Sequence, residues 1–375
     1  MKKIVSVLLA AMMLTLTACA GNNTSVSEST STEAVVSVEE TVNDEAVTEE
    51  ATPSIEEAPL AEEAVATDYA VTYPVTVVDM AGREVTLEKR PERIVSGYYI
   101  SSSLLIALDV DDRLVGIEAK ANKRPIYKLS AESLIELPSV GSAKEFDLEG
   151  CIALEPDLVI LPKKLKDAAK TMEELGITVV LVNPENEEDL LNMAHLVAVL
   201  TDSLEREAML VDFITSNKEM LKSWLASEEV KSVYLAGNSD FLSTASKGMY
   251  QTDMIELAGG KNVASEIDDT YWVEVSYEQV LAWNPEYIVI AAEAEYDVED
   301  VLANEALAEC DAVVNKNVYK LPSNAEAWDS PVPSSILGSV WLANVLHEDK
   351  VGSENALNII EEFYETFYDF KYSEN

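Results

Sequence analysis

The same pattern of apolar and polar positions occurs twice in this chain, 129 positions apart. Residues 146–161 read FDLEGCIALEPDLVIL, and residues 275–290 read VSYEQVLAWNPEYIVI. In each copy a short helical segment leads to a proline and then to an apolar run. Such a run between turn signals is typical of a parallel strand that is buried on both faces. The repeat therefore predicts two similar α/β lobes, and ligands commonly bind in a cleft between two lobes.

Strand and helix patterns alternate through the rest of the chain, which predicts a mainly parallel sheet in each lobe. A hairpin is expected at its start, over residues 75–78 and 84–87. Core strands are predicted at residues 93–96, 114–117, 178–182, 232–236, 287–291 and 318–321, and helices at residues 102–108, 167–175, 251–258, 334–346 and 356–367.

A long segment without Gly or Pro, residues 187–225, has apolar residues at helical spacing. The polar residues 201–203 divide it into two helices, and the second, over residues 203–226, would be about 35 Å long. We interpret this second helix as a rigid connector between the lobes, the alternative being one more layer helix of the first lobe. The predicted divisions are a first lobe at 71–200, a connecting helix at 201–228 and a second lobe at 229–375.

The N-terminus carries a secretory signal, because two lysines precede an apolar stretch at residues 4–14 that is too short to span a membrane stably. The signal ends in Leu16, Thr17, Ala18 and Cys19, which resembles the bacterial lipoprotein signal. The resemblance implies removal of residues 1–18 and lipid transfer to the Cys19 thiol. An ordinary signal peptide with a chance cysteine is the alternative. A lipid-anchored protein would sit on the outer face of the bacterial cytoplasmic membrane.

An acidic tether follows, at residues 19–70. From residue 20 onward it contains thirteen Asp or Glu and no Lys or Arg. A polar segment with one sign of charge neither collapses nor folds alone, so we interpret it as an extended spacer, with a partner-binding acidic tail as the alternative. The whole chain carries a formal charge of −43, which argues against nucleic acid as a partner.

Cysteines and histidines give no sign of a metal site or an intrinsic cofactor. Cys151 and Cys310 lie in different halves of the chain and are predicted to be buried free thiols. His195 and His347 lie far apart in apolar helical contexts, so surface or packing roles are expected for both.

Over residues 75–346 the chain resembles the substrate-binding lipoproteins of ABC importers for iron complexes, haem and cobalamin. The order and spacing of several short motifs carry this resemblance. The motif residues are Asp79 and Gly82; Pro91 and Arg93; Leu114 and Gly116; Val140 and Gly141; Leu148, Glu149, Pro156 and Asp157; Met254, Ile255, Gly259 and Gly260; and Val275, Ser276, Glu278 and Gln279.

The resemblance implies two Rossmann-like lobes, one long connecting helix and little movement on closure. It implies a monomer that captures a ferric siderophore, haem or a corrinoid such as cobalamin as its transported ligand. The partner would be an ABC permease dimer with its ATPase, and the ligand is cargo rather than an intrinsic cofactor. In this family one glutamate on each lobe docks against permease arginines, and Glu149 and Glu278 match those two positions. Both would also suit the positive end of a helix.

Ligand contacts are expected from loops at the carboxyl ends of strands that face the cleft. A polar loop at 118–125 carries Lys120, Lys123 and Arg124. Aromatic faces suit large flat or chelated ligands, and lysines suit anionic siderophore groups, although each aromatic could instead pack on its own lobe. The candidate ligand-binding residues are Tyr98, Tyr99, Lys163, Lys164, Tyr250, Tyr271, Trp272 and Trp328.

Three rival functions are alternatives to transport. A membrane-tethered α/β enzyme is disfavoured, since the chain has no Gly-x-Ser-x-Gly elbow, no phosphate loop and no paired Cys and His. A zinc- or manganese-binding relative would need several histidines, and the chain has two. A surface sensor or adhesin on the same scaffold stays open.

Replacing Cys19 by Ala removes the thiol that lipid transfer requires. The Cys19→Ala protein is expected to leave the membrane fraction or to remain as an unprocessed precursor, whereas Cys151→Ala should not change the fractionation. Cell fractionation and the mass of the mature protein test this. Normal maturation with full membrane retention of Cys19→Ala would contradict lipidation.

Overall fold

Two four-stranded parallel sheets lie at the centres of two lobes in the computed structural model, which describes residues 69–268 and 272–373. The strands are β1 Val75–Val78, β2 Glu84–Leu87, β3 Ile94–Ser96, β4 Leu114–Gly116, β5 Leu158–Pro162, β6 Val179–Val182, β7 Lys231–Ala236, β8 Ser243–Ala245, β9 Gly260–Asn262, β10 Trp272–Glu274, β11 Tyr287–Ile290 and β12 Val318–Lys320. The helices are α1 Tyr99–Ala107, α2 Pro125–Ser130, α3 Leu148–Ala153, α4 Lys166–Glu174, α5 Glu187–Thr201, α6 Leu204–Leu225, α7 Tyr250–Leu257, α8 Tyr277–Trp283, α9 Val298–Leu302, α10 Asp311–Val314, α11 Ile336–Leu346, α12 Glu348–Val351 and α13 Ser353–Tyr368.

The two sheets have the same strand order. The first lobe has the order β4-β3-β5-β6, and the second has β9-β7-β11-β12. All pairs within these two sheets are parallel. Every residue of β5 and β6 is buried, which explains why these strands read as continuous apolar runs rather than as alternating ones. The predicted fold class, two α/β lobes of Rossmann type, is therefore confirmed.

The two copies of the sequence repeat occupy equivalent places. Each begins with a capped helix, because the side chains of Asp147 and Ser276 accept a hydrogen bond from the backbone N–H three residues further on. The helices α3 and α8 are followed by Glu155 and Asn284, which have left-handed φ angles of 48° and 44°. A left-handed residue stops a helix, and the proline after it directs the chain into β5 or β11.

The long helix α6 connects the lobes, as the sequence predicted. It has 22 residues and so extends for about 33 Å. Asp202, with a φ of 58°, separates it from α5. Arg206, in its first turn, donates hydrogen bonds to the carbonyl oxygens of Ala107 and Thr366, which fixes the helix to α1 and α13.

The last helix, α13, packs against the first lobe although it follows the second in sequence. The Tyr368 hydroxyl lies 2.8 Å from the Ser103 hydroxyl of α1. Phe213 of α6 makes edge contacts with Phe363 and Phe367, at centroid distances of 5.3 and 5.9 Å. The exact limits predicted for the two lobes therefore stay a prediction.

The structure contains strands that the sequence pattern did not predict. Strands β8 and β10 form a small antiparallel pair within residues expected to be loops. Gly259, with a left-handed φ of 78°, follows the end of α7, and Gly260 begins β9. A Cβ atom at Gly260 would lie 2.9 Å from Ile255 and 3.0 Å from Val233, so a side chain would not fit there. Helix α1 begins at Tyr99, three residues earlier than expected.

The cysteines of the described residues behave as predicted. Cys151 and Cys310 are free and buried, each in the core of its own lobe. Cys19, the signal and residues 19–68 of the tether lie outside the described residues. Within residues 69–268 and 272–373, no helix is long and apolar enough to cross a membrane.

A buried carboxylate holds the first hairpin against the sheet. Asp79, 3% exposed, accepts backbone N–H bonds from Ala81, Arg83 and Leu181 at 2.9 to 3.0 Å. The Arg83 guanidinium also donates to it at 2.6 and 2.9 Å. Burial alone would raise the pKa of Asp79, but the bonds from Arg83 and Leu181 outweigh it and lower that pKa. The ionised carboxylate is therefore the stabilising form.

Replacing Asp79 by Asn should lower the free energy of unfolding at pH 7 by about 1.5–3 kcal/mol, because charge-assisted hydrogen bonds are lost. The contribution of a carboxylate whose pKa is lowered on folding is complete above the unfolded-state value of about 3.9. It disappears as the pH falls through the folded-state pKa. Urea denaturation should therefore show a gap between the two proteins that narrows below about pH 4.

The control is Asp212→Asn, on the exposed face of α6, which should match the wild type at both pH values. Equal stability of the Asp79→Asn and Asp212→Asn proteins at pH 7 would contradict the role given to Asp79.

Candidate functional site

The first wall of the cleft follows β3. A Cβ atom at Gly97 would lie 2.5 Å from the Leu161 side chain, so a larger residue there would have to displace that leucine. Tyr98 and Tyr99 come next, both half-buried, with ring centroids 5.4 Å apart in an edge contact. They line an open cavity of about 510 Å³. Its charged lining residues are Glu118, Lys120, Arg124, Lys144 and Glu145.

Both tyrosines are neutral phenols at physiological pH. Burial raises the pKa of Tyr98 well above its ordinary value and also raises the pKa of Tyr99. The Arg124 guanidinium lies 4.2 Å from the centre of the Tyr99 ring and acts in the opposite direction, without reversing the shift. The pair therefore offers aromatic faces and hydroxyl donors rather than phenolate oxygens.

A second, enclosed cavity of about 30 Å³ lies where the two lobes meet. The first lobe supplies Tyr99, Arg124 and Tyr127 to its lining, and the second supplies Glu293 and Glu326. The two lobes are joined here by an ion pair, since Arg124 Nη1 lies 3.2 Å from Glu293 Oε1. A polar cavity of this size can hold a water molecule.

Two buried carboxyl groups, those of Glu118 and Glu326, lie near the Arg124–Glu293 ion pair. Glu118 accepts hydrogen bonds from Ser102 Oγ at 2.6 Å and from the Tyr127 hydroxyl at 2.7 Å. Glu326 accepts one from Ser334 Oγ at 2.6 Å. Burial raises the pKa of both carboxyl groups, despite these bonds. The cleft floor thus contains acidic groups that can hold a proton more readily than surface carboxylates.

Trp272 stands at the carboxyl edge of the second sheet. It is the first residue of β10, pairs with Ala245 of β8 and is 39% exposed. A Cβ atom added at Gly237, directly after β7, would lie 3.0 Å from its ring. The next residue, Asn238, accepts a hydrogen bond from the Glu293 backbone N–H at 3.1 Å. Gly237 and Asn238 are consecutive, so one loop lies against Trp272 on one side and against Glu293, the partner of Arg124, on the other.

Two predicted ligand contacts are corrected by their burial. Tyr250 is 4% exposed, and its hydroxyl donates to the Ser335 carbonyl oxygen at 2.6 Å. Trp328 is 1% exposed, and its Nε1 donates to the Tyr364 hydroxyl at 2.8 Å. Both aromatic side chains are satisfied inside the core, which sequence position alone does not reveal.

The remaining predicted ligand contacts stay predictions. Lys163 and Lys164 are exposed directly after β5 and do not line either cavity described above. Tyr271 lies outside the described residues. The structure therefore brings Tyr98 and Tyr99 together and places Trp272 at the matching edge of the other lobe.

Sequence reasoning missed the charged residues of the cleft. The sequence pattern shows Arg124 only as part of a polar loop, and it does not distinguish Glu118, Glu293 and Glu326 from surface acids. Three of these four residues follow a core strand closely, which is the available signal: Glu118 after β4, Glu293 after β11 and Glu326 after β12. An acidic residue at such a position is usually solvated, so the signal is weak without tertiary contacts.

Glu149 and Glu278 are exposed in the first turns of α3 and α8, at matching places on the two lobes. The backbone N–H of Glu278 and the Ser276 hydroxyl lower the pKa of Glu278. It is therefore ionised at neutral pH. Both carboxylates are available to a partner on the surface.

Histidines do not form a metal centre in the described part of the chain. His347 is buried, with Nε2 3.3 Å from the Gly259 carbonyl oxygen, and His195 is exposed near Glu207. No group of three or more His, Cys, Asp or Glu suited to a metal ion occurs within residues 69–268 and 272–373.

Comparisons with known proteins agree with this architecture. The molybdate-binding protein MolA of Haemophilus influenzae is 26% identical over 324 residues, which cover 79% of this chain and 91% of MolA. A cobalamin-binding protein of Halobacterium salinarum is 24% identical over 302 residues, 76% of this chain and 77% of its own. The crystal structure of a periplasmic solute binding protein from Veillonella parvula superposes with a TM-score of 0.69 at 25% identity. That alignment covers 80% of this chain and 94% of the Veillonella protein.

A family model described as periplasmic binding protein matches residues 94–325, from the first core strand of the first lobe to the loop that lines the inter-lobe cavity. The match includes both copies of the repeat and the connecting helix. This chain therefore belongs to the periplasmic binding protein family, whose members are extracytoplasmic solute-binding proteins of ABC importers rather than enzymes.

Proposed function

We propose that this protein is a lipid-anchored, monomeric binding protein that captures a metal complex outside the cytoplasm and delivers it to an ABC importer. The ligand classes are a ferric siderophore, haem or a corrinoid such as cobalamin. The observation that carries the proposal is the pairing of aromatic and basic side chains at the cleft. Tyr98 and Tyr99 lie beside Lys120, Arg124 and Lys144 in one open cavity.

The two kinds of side chain suit the two parts of such a ligand. Flat or chelating organic groups stack on aromatic rings, which contributes about 0.5–1.5 kcal/mol per favourable pair beyond area burial. Carboxylate or catecholate groups attract the lysines and Arg124. Within the described part of the chain, Lys120 and Lys144 form no ion pair, so both ammonium groups can meet a ligand. The cavity lining has three basic side chains beside the two acidic ones, Glu118 and Glu145, and the basic side chains support an anionic group on the ligand.

The relatives favour this range of ligands without selecting one. The cobalamin-binding relative supports a corrinoid. MolA supports a second candidate, an oxyanion such as molybdate, for which the lysines and Arg124 would supply the charge. Separate titrations with haem, cyanocobalamin, a ferric siderophore and molybdate distinguish these ligands by the affinity measured for each.

We propose the outer face of the membrane as the location and Cys19 as the anchor, followed by the acidic tether. A family of extracytoplasmic binding proteins supports the location. The tether would hold the binding lobes near the permease and let them turn towards it, because self-repulsion keeps an acidic segment extended.

We also propose that Glu149 and Glu278 dock the two lobes onto the two halves of the permease. The equivalent placement of α3 and α8 supports this role, because a pair of similar charges on two similar lobes suits a two-fold partner. Charge pairs at such an interface determine orientation and association rate more than affinity.

Replacing Trp272 by Ala should weaken ligand binding about two- to twelve-fold, the equivalent of one lost stacking contact. Replacing it by Phe should preserve most of the affinity, because an aromatic face is kept. Ligand binding should also quench Trp fluorescence in the wild type. Fluorescence and absorption titrations with haem and cyanocobalamin measure both effects.

Ala substitutions at Tyr98, Tyr99 and Tyr271 complete the series. If all four Ala variants bind the ligand as tightly as the wild type, the binding site lies elsewhere.

Reversing both docking charges, with Glu149→Lys and Glu278→Lys, should abolish most uptake and leave ligand affinity near the wild-type value. The reason is that attraction to permease arginines becomes repulsion, which can cost several kcal/mol at an interface. Each single reversal should give an intermediate uptake rate. An uptake assay and a ligand titration on the same variants test this.

The control pair is Glu174→Lys with Glu299→Lys, on exposed residues of α4 and α9, which makes the same change in net charge. Its uptake should be normal. Normal uptake by the docking-pair variant, or loss of its ligand binding in step with uptake, would defeat the assignment.

A further inference from the structure

An ion pair crosses the cleft where an anionic ligand would arrive. Arg124 belongs to the loop before α2 in the first lobe, and Glu293 belongs to the loop after β11 in the second. Their side chains meet at 3.2 Å although 169 positions separate them in the sequence. Both side chains are partly exposed, so solvent and ligand can reach the pair.

Arg124 is held in a position suited to recognising an anion. Its guanidinium carbon lies 4.2 Å from the centre of the Tyr99 ring, so one face is covered. Guanidinium has five N–H donors in a rigid fork. One N–H group reaches the Glu293 carboxylate in the part of the chain that the structure describes. The fork can therefore donate to a second oxygen or exchange the first.

Glu293 is presented to Arg124 by an anchored loop rather than by a mobile one. Its own backbone N–H donates to Asn238 Oδ1 at 3.1 Å. The N–H of Ala292 donates to Asp329 Oδ2, also at 3.1 Å, and Asp329 is 2% exposed. Two side chains from different loops thus fix two consecutive backbone amides, those of Ala292 and Glu293. This fixed backbone places the Glu293 side chain within reach of the Arg124 guanidinium.

We infer that Glu293 is an internal ligand of Arg124, which an anionic group of the transported molecule displaces when it binds. This inference rests on the proposed function and specifies the ligand class as anionic at the Arg124 end. An exposed ion pair contributes little in water, so displacement is inexpensive for a ligand that offers a bidentate oxygen pair. A neutral ligand gains nothing from the exchange. Glu293 and Arg124 together then select by charge.

The test uses four forms of the full mature chain: wild type, Glu293→Gln, Arg124→Gln and the double variant. Haem and molybdate are the anionic probes, and cyanocobalamin is the neutral probe. Affinities are measured at low ionic strength, where charge effects are largest. Glu295→Gln and Lys123→Gln are the controls, because each makes the same charge change at a neighbouring exposed residue that lines neither cavity.

The Glu293→Gln protein should bind an anionic probe about three- to ten-fold more tightly, because no internal carboxylate competes for Arg124. The Arg124→Gln protein should bind it about ten-fold or more weakly. The gain from Glu293→Gln should vanish in the double variant, because the competition exists only while Arg124 is present. Cyanocobalamin affinity should be the same in all forms, and circular dichroism should confirm that each form is folded.

Each other outcome overturns a stated claim. An equal gain from Glu293→Gln with and without Arg124 would show simple repulsion and overturn the internal-ligand role. Anion affinity that Glu293→Gln leaves unchanged, or changes no more than Glu295→Gln, would overturn it too. Binding of cyanocobalamin alone would overturn the inference and leave the proposed function standing. A wild type that binds none of these probes and no ferric siderophore would overturn both.

Discussion

Parallel pairing of strands buried on both faces is the constraint on which both lobes depend. Adjacent parallel strands require a crossover between them, so every carboxyl end in a sheet lies at the same edge. In the first lobe this edge carries Tyr98 and Tyr99 after β3 and Glu118 after β4. In the second it carries Gly237 after β7 and Glu293 after β11. Side chains far apart in sequence therefore meet at one cleft, and the strands themselves remain core.

The cleft combines groups that are unfavourable to bury with groups that compensate for them. Glu118 and Glu326 lose water on folding, which raises their pKa values, and hydroxyl donors from Ser102, Tyr127 and Ser334 only partly offset that loss. Arg124 lies close enough to both carboxyl groups to favour their ionised forms. The Arg124–Glu293 ion pair, by contrast, is partly exposed on both sides, so exchanging its partner costs less free energy than breaking a buried pair.

The connecting helix α6 and the C-terminal helix α13 are both fixed to the first lobe. Helix α6 is continuous over 22 residues, and Arg206 binds it to both α1 and α13. The return of α13 to the first lobe adds a second apolar link, through Phe363, Phe367 and the buried Tyr368. These contacts hold the start of α6 and the C-terminal helix against the first lobe. The small movement on closure that the family resemblance implies stays a prediction.

Much of the fold could be predicted because it depends on local pattern. The repeat whose two copies lie 129 positions apart, the hairpin at β1 and β2 and the long helix α6 were all visible in apolar spacing and in the positions of Pro, Asp and Ser. The short strands β8, β9 and β10 could not be predicted in this way. Their residues lack a clear period, and their pairing partners supply the hydrogen bonds that define them.

The same distinction between local pattern and tertiary packing applies to the candidate site. The sequence by itself determined which loops follow the core strands, and so it identified Tyr98, Tyr99 and Trp272. Only the tertiary structure decided that Tyr250 and Trp328 are core residues and that Arg124 faces Glu293. An aromatic residue in a loop has the same local pattern whether it packs inward or faces a cleft. Its burial, and the meeting of two charges 169 positions apart, depend on how the lobes pack together, and no local pattern records that.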